Sequence, residues 1–183
     1  MTETRDSKRL AAPPRDLVVR PASAADLPAI MTMVREAFGY DLEAKLIERL
    51  ERERRVALSV VALSDGRVAA HALLSHVELI APGEAARPAL ALAPVAVAPE
   101  LQGRGIGSLV VRTCVRSSDP RLPIFVIGNP AFYGRFGFES ASPHGVTQRL
   151  GVAPGYFMVC NAGLAPATPV AWTLDYPAAF DGL

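Results

Sequence analysis

LAPVAVAPELQGRGIG, from Leu92 to Gly107, starts apolar and partly β-branched, breaks at Pro99-Glu100, passes three glycines in quick succession, and runs on as IGSLVVRTCVR with helical spacing. The pattern is strand, glycine loop, helix. Such a junction leaves backbone N–H groups without partners at a helix N-terminus, where aligned peptide dipoles add partial positive charge. A phosphate suits it. Gly103, Gly105 and Gly107 let the main chain turn sharply and approach a ligand with no Cβ in the way. The dinucleotide fingerprint GxGxxG needs glycine where Ser108 stands, and the P-loop needs Lys then Ser or Thr after its second glycine, so neither applies. What fits is Gln-x-x-Gly-x-Gly, at Gln102, Gly105 and Gly107.

Outward from that stretch the chain alternates helical and extended patterns. LVVR, at Leu17 to Arg20, opens a sheet, and Ser23 and Asp26 have capping-box spacing. Leu27, Ile30, Met31, Val34 and Phe38 then recur as one helix face, which Gly39 ends. A second helix is expected from Leu42 to about Arg54, with Leu42, Leu46, Ile47 and Leu50 inward. Asp41 and Glu43 read first as acids favoured near its N-terminus by the dipole. SVVALSDGRVAAHALLSHVEL is a hairpin around Asp65-Gly66. A central strand over about Ala89 to Val97 precedes the glycine loop, and the helix after it turns Ile106, Leu109, Val110, Thr113 and Cys114 inward. IFVIG, Ile124 to Gly128, is a buried strand, and Asn129 with Pro130 starts a short helix. Beyond Phe138 one further strand, GYFMVCN, stands among prolines. The order points to an α/β fold with a mixed central β-sheet flanked by helices.

The chain's 183 residues suit one domain, expected over 16–183. Residues 1–15, charged and carrying Pro13-Pro14, are expected to be a disordered leader. Half of the residues are hydrophobic and the formal net charge is +1, so bulk electrostatics offers no case for nucleic acid or an anionic membrane surface. No apolar run reaches the length of a membrane span. Cys114 and Cys160 lie far apart without metal-ligand spacing, so no metal site is expected and both read as buried free thiols. A cytoplasmic setting follows from that reading.

Tyr133-Gly-Arg-Phe-Gly137-Phe138 follows the presumed phosphate loop in the chain. Taken with Gln102-x-x-Gly105-x-Gly107, it makes the chain resemble the GNAT superfamily of acyl-CoA-dependent N-acetyltransferases. Their signature is Arg or Gln, two residues, Gly, one residue, Gly or Ala, followed after the next strand by Tyr-x-x-x-Gly-Phe. GNPAFYGRFGF is also similar to a bacterial subgroup carrying Tyr-Pro-x-x-Phe near the C-terminus, here Tyr176, Pro177 and Phe180.

The resemblance implies a GNAT fold and an acetyl-CoA cosubstrate. It places the pyrophosphate on the amides of Gln102, Gly103, Arg104, Gly105, Ile106, Gly107 and Ser108, and the pantetheine arm along Val95, Ala96 and Val97. It makes Tyr133 the general acid for the leaving thiolate, because a phenol is protonated at neutral pH and can donate to a stronger base. Asn129 either bonds the pantetheine arm or caps its helix. The segment holding Asp41 and Glu43 borders the acceptor cleft in such folds.

The base is less legible. Several GNAT enzymes place a Glu on the central strand, and LALAPVAVAP contains no acid. Glu78 is the candidate base, sharing a strand face with His76 and opposite to His71. The expected activity is direct acetyl transfer to a small-molecule, peptide or protein amine in a ternary complex. The alternative is a non-catalytic acyl-CoA-binding module. The apolar segment PVAWTLDYPAAF either completes the chain's own sheet or covers a neighbour, which leaves a homodimer open.

Overall fold

The computed structural model describes residues 12–160 and 170–182. Most of the expected leader lies outside the described residues. Nine strands form one sheet: β1 (Val18–Pro21), β2 (Val56–Ser64), β3 (Arg67–Ile80), β4 (Arg87–Val97), β5 (Ile124–Ile127), β6 (Glu139–Ser140), β7 (Val146–Gln148), β8 (Phe157–Cys160) and β9 (Trp172–Asp175). Their order is β1-β2-β3-β4-β5-β8-β6, with β9 joining the end of β3 and β7 pairing β9. Most pairs are antiparallel, while β4–β5 and β7–β9 are parallel.

Helices α1 (Leu27–Phe38) and α2 (Leu42–Arg52) cover one face, and α3 (Ile106–Ser117) covers the other. The Asp26 carboxylate accepts the Ser23 N–H at 2.7 Å and both Arg20 amino groups at 2.8 Å, joining β1 to the start of the first helix. Hydrogen bonding from Arg20 holds that carboxyl well below the usual carboxylate range. Gly39 closes α1 with φ 76°, its N–H donating to the Arg35 carbonyl. In α2, Ala44, Leu46, Ile47 and Leu50 are buried; each large aliphatic side chain contributes about 1.5–3 kcal/mol. The hairpin turn has positive φ at Asp65 and Gly66, as its Asp-Gly pair demands.

Several expectations shift. Leu42 is exposed in the first turn of α2. On α3 the buried stripe is Ile106, Val110, Val111 and Cys114, whereas Leu109 is exposed and Thr113 half-buried. The sequence pattern offered no sign of β6 or β7, which are three residues or shorter and depend on distant partners. Through β9, which pairs Glu78–Ile80 of β3, the C-terminal segment completes the sheet of its own chain. Among the described residues no helix is long and apolar enough to cross a membrane, and no cluster of His, Cys, Asp and Glu could hold a metal ion.

Candidate functional site

The site begins where β4 stops following its neighbours. Pairing with β3 jumps from Leu74–Leu92 to Ala72–Val95, so Ala93 and Pro94 together oppose Leu73 and make a bulge. The bulge swaps the faces of the strand. Ala89 and Ala91 share a core with Ala96 and Ala98, while Val95 and Val97 pack on the α3 side. On its other edge β4 pairs β5 only at Leu90 and Ala91, and the two strands then part. Two cavities fill the opening.

The first, about 420 Å³, lies over the loop and the start of α3. Val95, Val97, Gln102, Gly103, Gly105, Ile106, Gly107 and Ser108 line it, as do Phe132, Tyr133 and Arg135. Gly103 and Gly105 hold φ of 75° and 79°, and Gly105 caps α3. The Gln102 side chain donates to the Val97 carbonyl at 3.1 Å, tying the loop to the strand it leaves. The Gln102 and Ser108 amides donate to Pro99 and Gly105 carbonyls, so the run of amides free of partners among the described residues is Gly103 to Gly107. Those amides at the mouth of a helix suit a multiply charged anion.

At three expected positions the side chain is not part of the cleft. The Ala96 side chain is buried on the opposite face, leaving only its backbone for the cleft. Arg104 is not in the lining. Asn129 spends its Oδ1 on the Ala131 N–H at 2.9 Å, capping α4 (Pro130–Tyr133), and lines neither cavity. Arg135 is a cation the sequence reading passed over. Its guanidinium stacks 4.7 Å from the centre of the Phe132 ring and donates to the Phe132 carbonyl. The Tyr-Gly-Arg-Phe-Gly run held the signal, two residues beyond the tyrosine.

The second cavity, about 330 Å³, lies between the parted strands, α2 and the C-terminal segment. Its wall includes Ala91, Ala93, Phe125, Leu150, Tyr176 and Phe180, with the last two rings 4.8 Å apart. Thus the Tyr-Pro-x-x-Phe motif supplies two walls. Among the described residues Glu43 is its one carboxylate. Glu43 Oε1 accepts the Tyr40 hydroxyl at 3.2 Å, while Oε2 is buried and has no partner among the described residues. The Glu43 charge is the main reason the Tyr40 phenol is raised above its ordinary value. First-turn placement on α2 is therefore only half of what Glu43 does.

Tyr133 and Val95 line both cavities. Tyr133 packs edge-on against Phe132 and Phe138, no described group bonds its hydroxyl, and burial pushes its phenol up to about 12. Glu78 does not join this group. It is exposed on β3, opposite Pro88 and Asp175, and lines neither cavity. Strand alternation predicts a face correctly but not the distance along it. His71 is fully buried on the α1 side, and His76 is exposed. Cys114 and Cys160 are free and buried, and burial pushes both thiols up to about 12.

Residues 18–141 match the Acetyltransferase (GNAT) domain family. The uncharacterized N-acetyltransferase YjhQ of Escherichia coli K12 is 35% identical over 64% of this chain and 65% of its own length. The uncharacterized N-acetyltransferase YhbS of the same strain is 31% identical over 70% of this chain and 77% of its own. The crystal structure of E. coli YhbS in complex with CoA superposes with a TM-score of 0.76 at 26% identity, covering 90% of this chain and 92% of that one. A GNAT family acetyltransferase from Brucella melitensis in complex with acetyl-CoA gives 0.70 at 27% identity, covering 90% and 98%. With the glycine loop, the parted strands and the mixed sheet in place, this chain belongs to the GNAT acetyltransferase family.

Proposed function

We propose that the protein is an N-acetyltransferase that passes the acetyl group of acetyl-CoA to a primary amine by direct transfer in a ternary complex. The observation that carries this reading is the position of Tyr133, at the junction of an anion-suited groove and a separate apolar cavity. Acetyl-CoA supplies an acyl group activated as a thioester. The amides of Gly103 to Gly107 and the Arg135 guanidinium would hold the diphosphate, and the free edge of β4 at Val95 and Ala96 would take the pantetheine amides. Val97 offers less, since Gln102 already occupies its carbonyl.

Tyr133 holds the proton that the departing sulfur needs. Burial keeps the phenol protonated well above neutral pH, and its hydroxyl owes no bond to another described group. Neither cysteine is suited to an acyl-enzyme, because both thiols are buried and held protonated. Free buried thiols also fit a cytoplasmic setting.

Titration calorimetry with acetyl-CoA, followed by mass spectrometry of a pooled amine library, tests the reading. Tight binding and acetylated products are expected, and Tyr133→Phe should cut turnover strongly with acetyl-CoA affinity nearly intact. Binding with no transfer to any amine would point instead to an acyl-CoA-binding module.

A further inference from the structure

We propose that Glu43 is the acceptor-binding group of the second cavity, and that it selects small primary amines with an uncharged apolar body and no acidic group beside the nitrogen. The inference rests on the acyl-transfer reading above, with Tyr133 marking the acyl end of the cavity.

The cavity is about 330 Å³, at the small end of ligand sites, and it must also admit the acetyl group. Apart from Glu43 its walls are aliphatic, proline and aromatic side chains, and among the described residues no Lys, Arg or His lines it. Against this apolar surface stands one carboxylate whose Oε2 is out of water and without a partner. A buried carboxylate oxygen in that state is costly unless a cation or donor meets it. An ammonium group supplies both charge and donors. A free α-amino acid would bring its own carboxylate toward Glu43, with no cation among the described residues of the wall to receive it.

Glu43 also has the chemistry to ready the amine. It takes one of the three ammonium protons and returns it to solvent. The freed nitrogen lone pair bonds the carbonyl carbon, the C–S bond breaks, and the sulfur takes the Tyr133 hydroxyl proton. The surplus proton on nitrogen then restores the Tyr133 phenol. Amide, free thiol and one released proton balance the ammonium and thioester consumed.

The test compares phenethylamine, L-phenylalanine and L-phenylalaninamide, which share one apolar body. Each is titrated calorimetrically into CoA-saturated wild-type protein and into Glu43→Gln. In wild type, phenethylamine and the amide should bind, and phenylalanine about 10- to 100-fold more weakly, the factor one charge-assisted hydrogen bond is worth. Glu43→Gln should lose the amine by a similar factor while acetyl-CoA affinity stays constant, and Glu43→Asp should restore part of it. Phenylalanine binding as tightly as phenethylamine, or a Gln variant that binds phenethylamine unchanged, overturns the proposal. Glu43-dependent amine binding without any acetyl transfer would uphold this site and overturn the enzymatic reading instead.

Discussion

The ring of Tyr133 lies against the Cα of Gly128: a Cβ placed on Gly128 would stand 2.3 Å from Tyr133 Cε2 and 2.9 Å from Cδ2. No real Cβ tolerates such contacts, so the residue that follows β5 must be glycine for the phenol to sit at the junction of the two cavities. Gly128→Ala should push the ring aside, cost about 1–3 kcal/mol of stability through overpacking, and lower turnover. Because both changes act through the same hydroxyl, Gly128→Ala combined with Tyr133→Phe should be little slower than Tyr133→Phe alone. Turnover at wild-type level in Gly128→Ala would mean that the ring position does not matter.

The Tyr133 phenol sets an expectation for alkaline pH. Burial raises its value to about 12, so the protonated form that donates to sulfur persists as pH rises through the range where an exposed tyrosine would ionise. The rate under saturating substrates should show no alkaline fall between about pH 8 and 10. A falling limb near pH 10 that vanishes in Tyr133→Phe would place the phenol in a wetter setting than the one described.

The glycine loop predicts a different signature. Gly105 holds φ 79° with open space around it, so Gly105→Ala meets no clash but adopts a left-handed backbone at a cost of about 1–2 kcal/mol. A loop that relaxes out of that conformation misaligns the free amides of Gly103 to Gly107. Acetyl-CoA affinity should fall while the affinity for amine in the second cavity stays. Gly107→Ala is milder: its Cβ would lie 3.2 Å from Val97 Cγ2, and that methyl must yield by a few tenths of an ångström. Calorimetry on both variants checks the order.

The loop, α3 and the short helix that carries Tyr133 were readable in the sequence because their signals are local: glycines in the loop, a helical repeat, an Asn-Pro helix start. Glu43 was only half readable. An acid in the first turn of a helix has a sufficient local explanation in the dipole, and nothing nearby says that Glu43 lines a cavity closed by Tyr176 and Phe180, more than a hundred residues away, or that its Oε2 has no partner among the described residues. Glu78 lies outside both cavities for the converse reason: period-two alternation chose its face, but β9 pairs that end of β3 and neither cavity reaches it. The strands β6 and β7 went unseen because each owes its pairing to tertiary partners rather than to its own composition, whereas the apolar segment holding β9 was legible as a candidate for the sheet but not its place beside β3. On α3, periodicity found the stripe but misplaced its edge: Leu109 was expected inward, and Val111 is buried instead.

His71 gives a prediction that is independent of catalysis. It is fully buried on β3, with Ser59 Oγ 2.9 Å from Nε2 and Nδ1 without a partner among the described residues. A protonated ring needs an acceptor at both nitrogens, and this one has at most one. Burial accordingly pushes its value from 6.5 down to about 4. The unfolded chain takes up a proton below about pH 6.5 that the native state refuses until about pH 4, so stability is full above that window and falls as pH drops through it. The slope contributed by this one group is at most about 1.4 kcal/mol per pH unit. His71→Gln keeps a partner for the Ser59 hydroxyl but cannot titrate. It should be less stable than wild type at neutral pH through imperfect packing, and the gap between the two should narrow steadily in urea unfolding from about pH 7 to pH 4. A gap that stays constant over that range would mean that His71 binds its proton as readily in the fold as in the open chain.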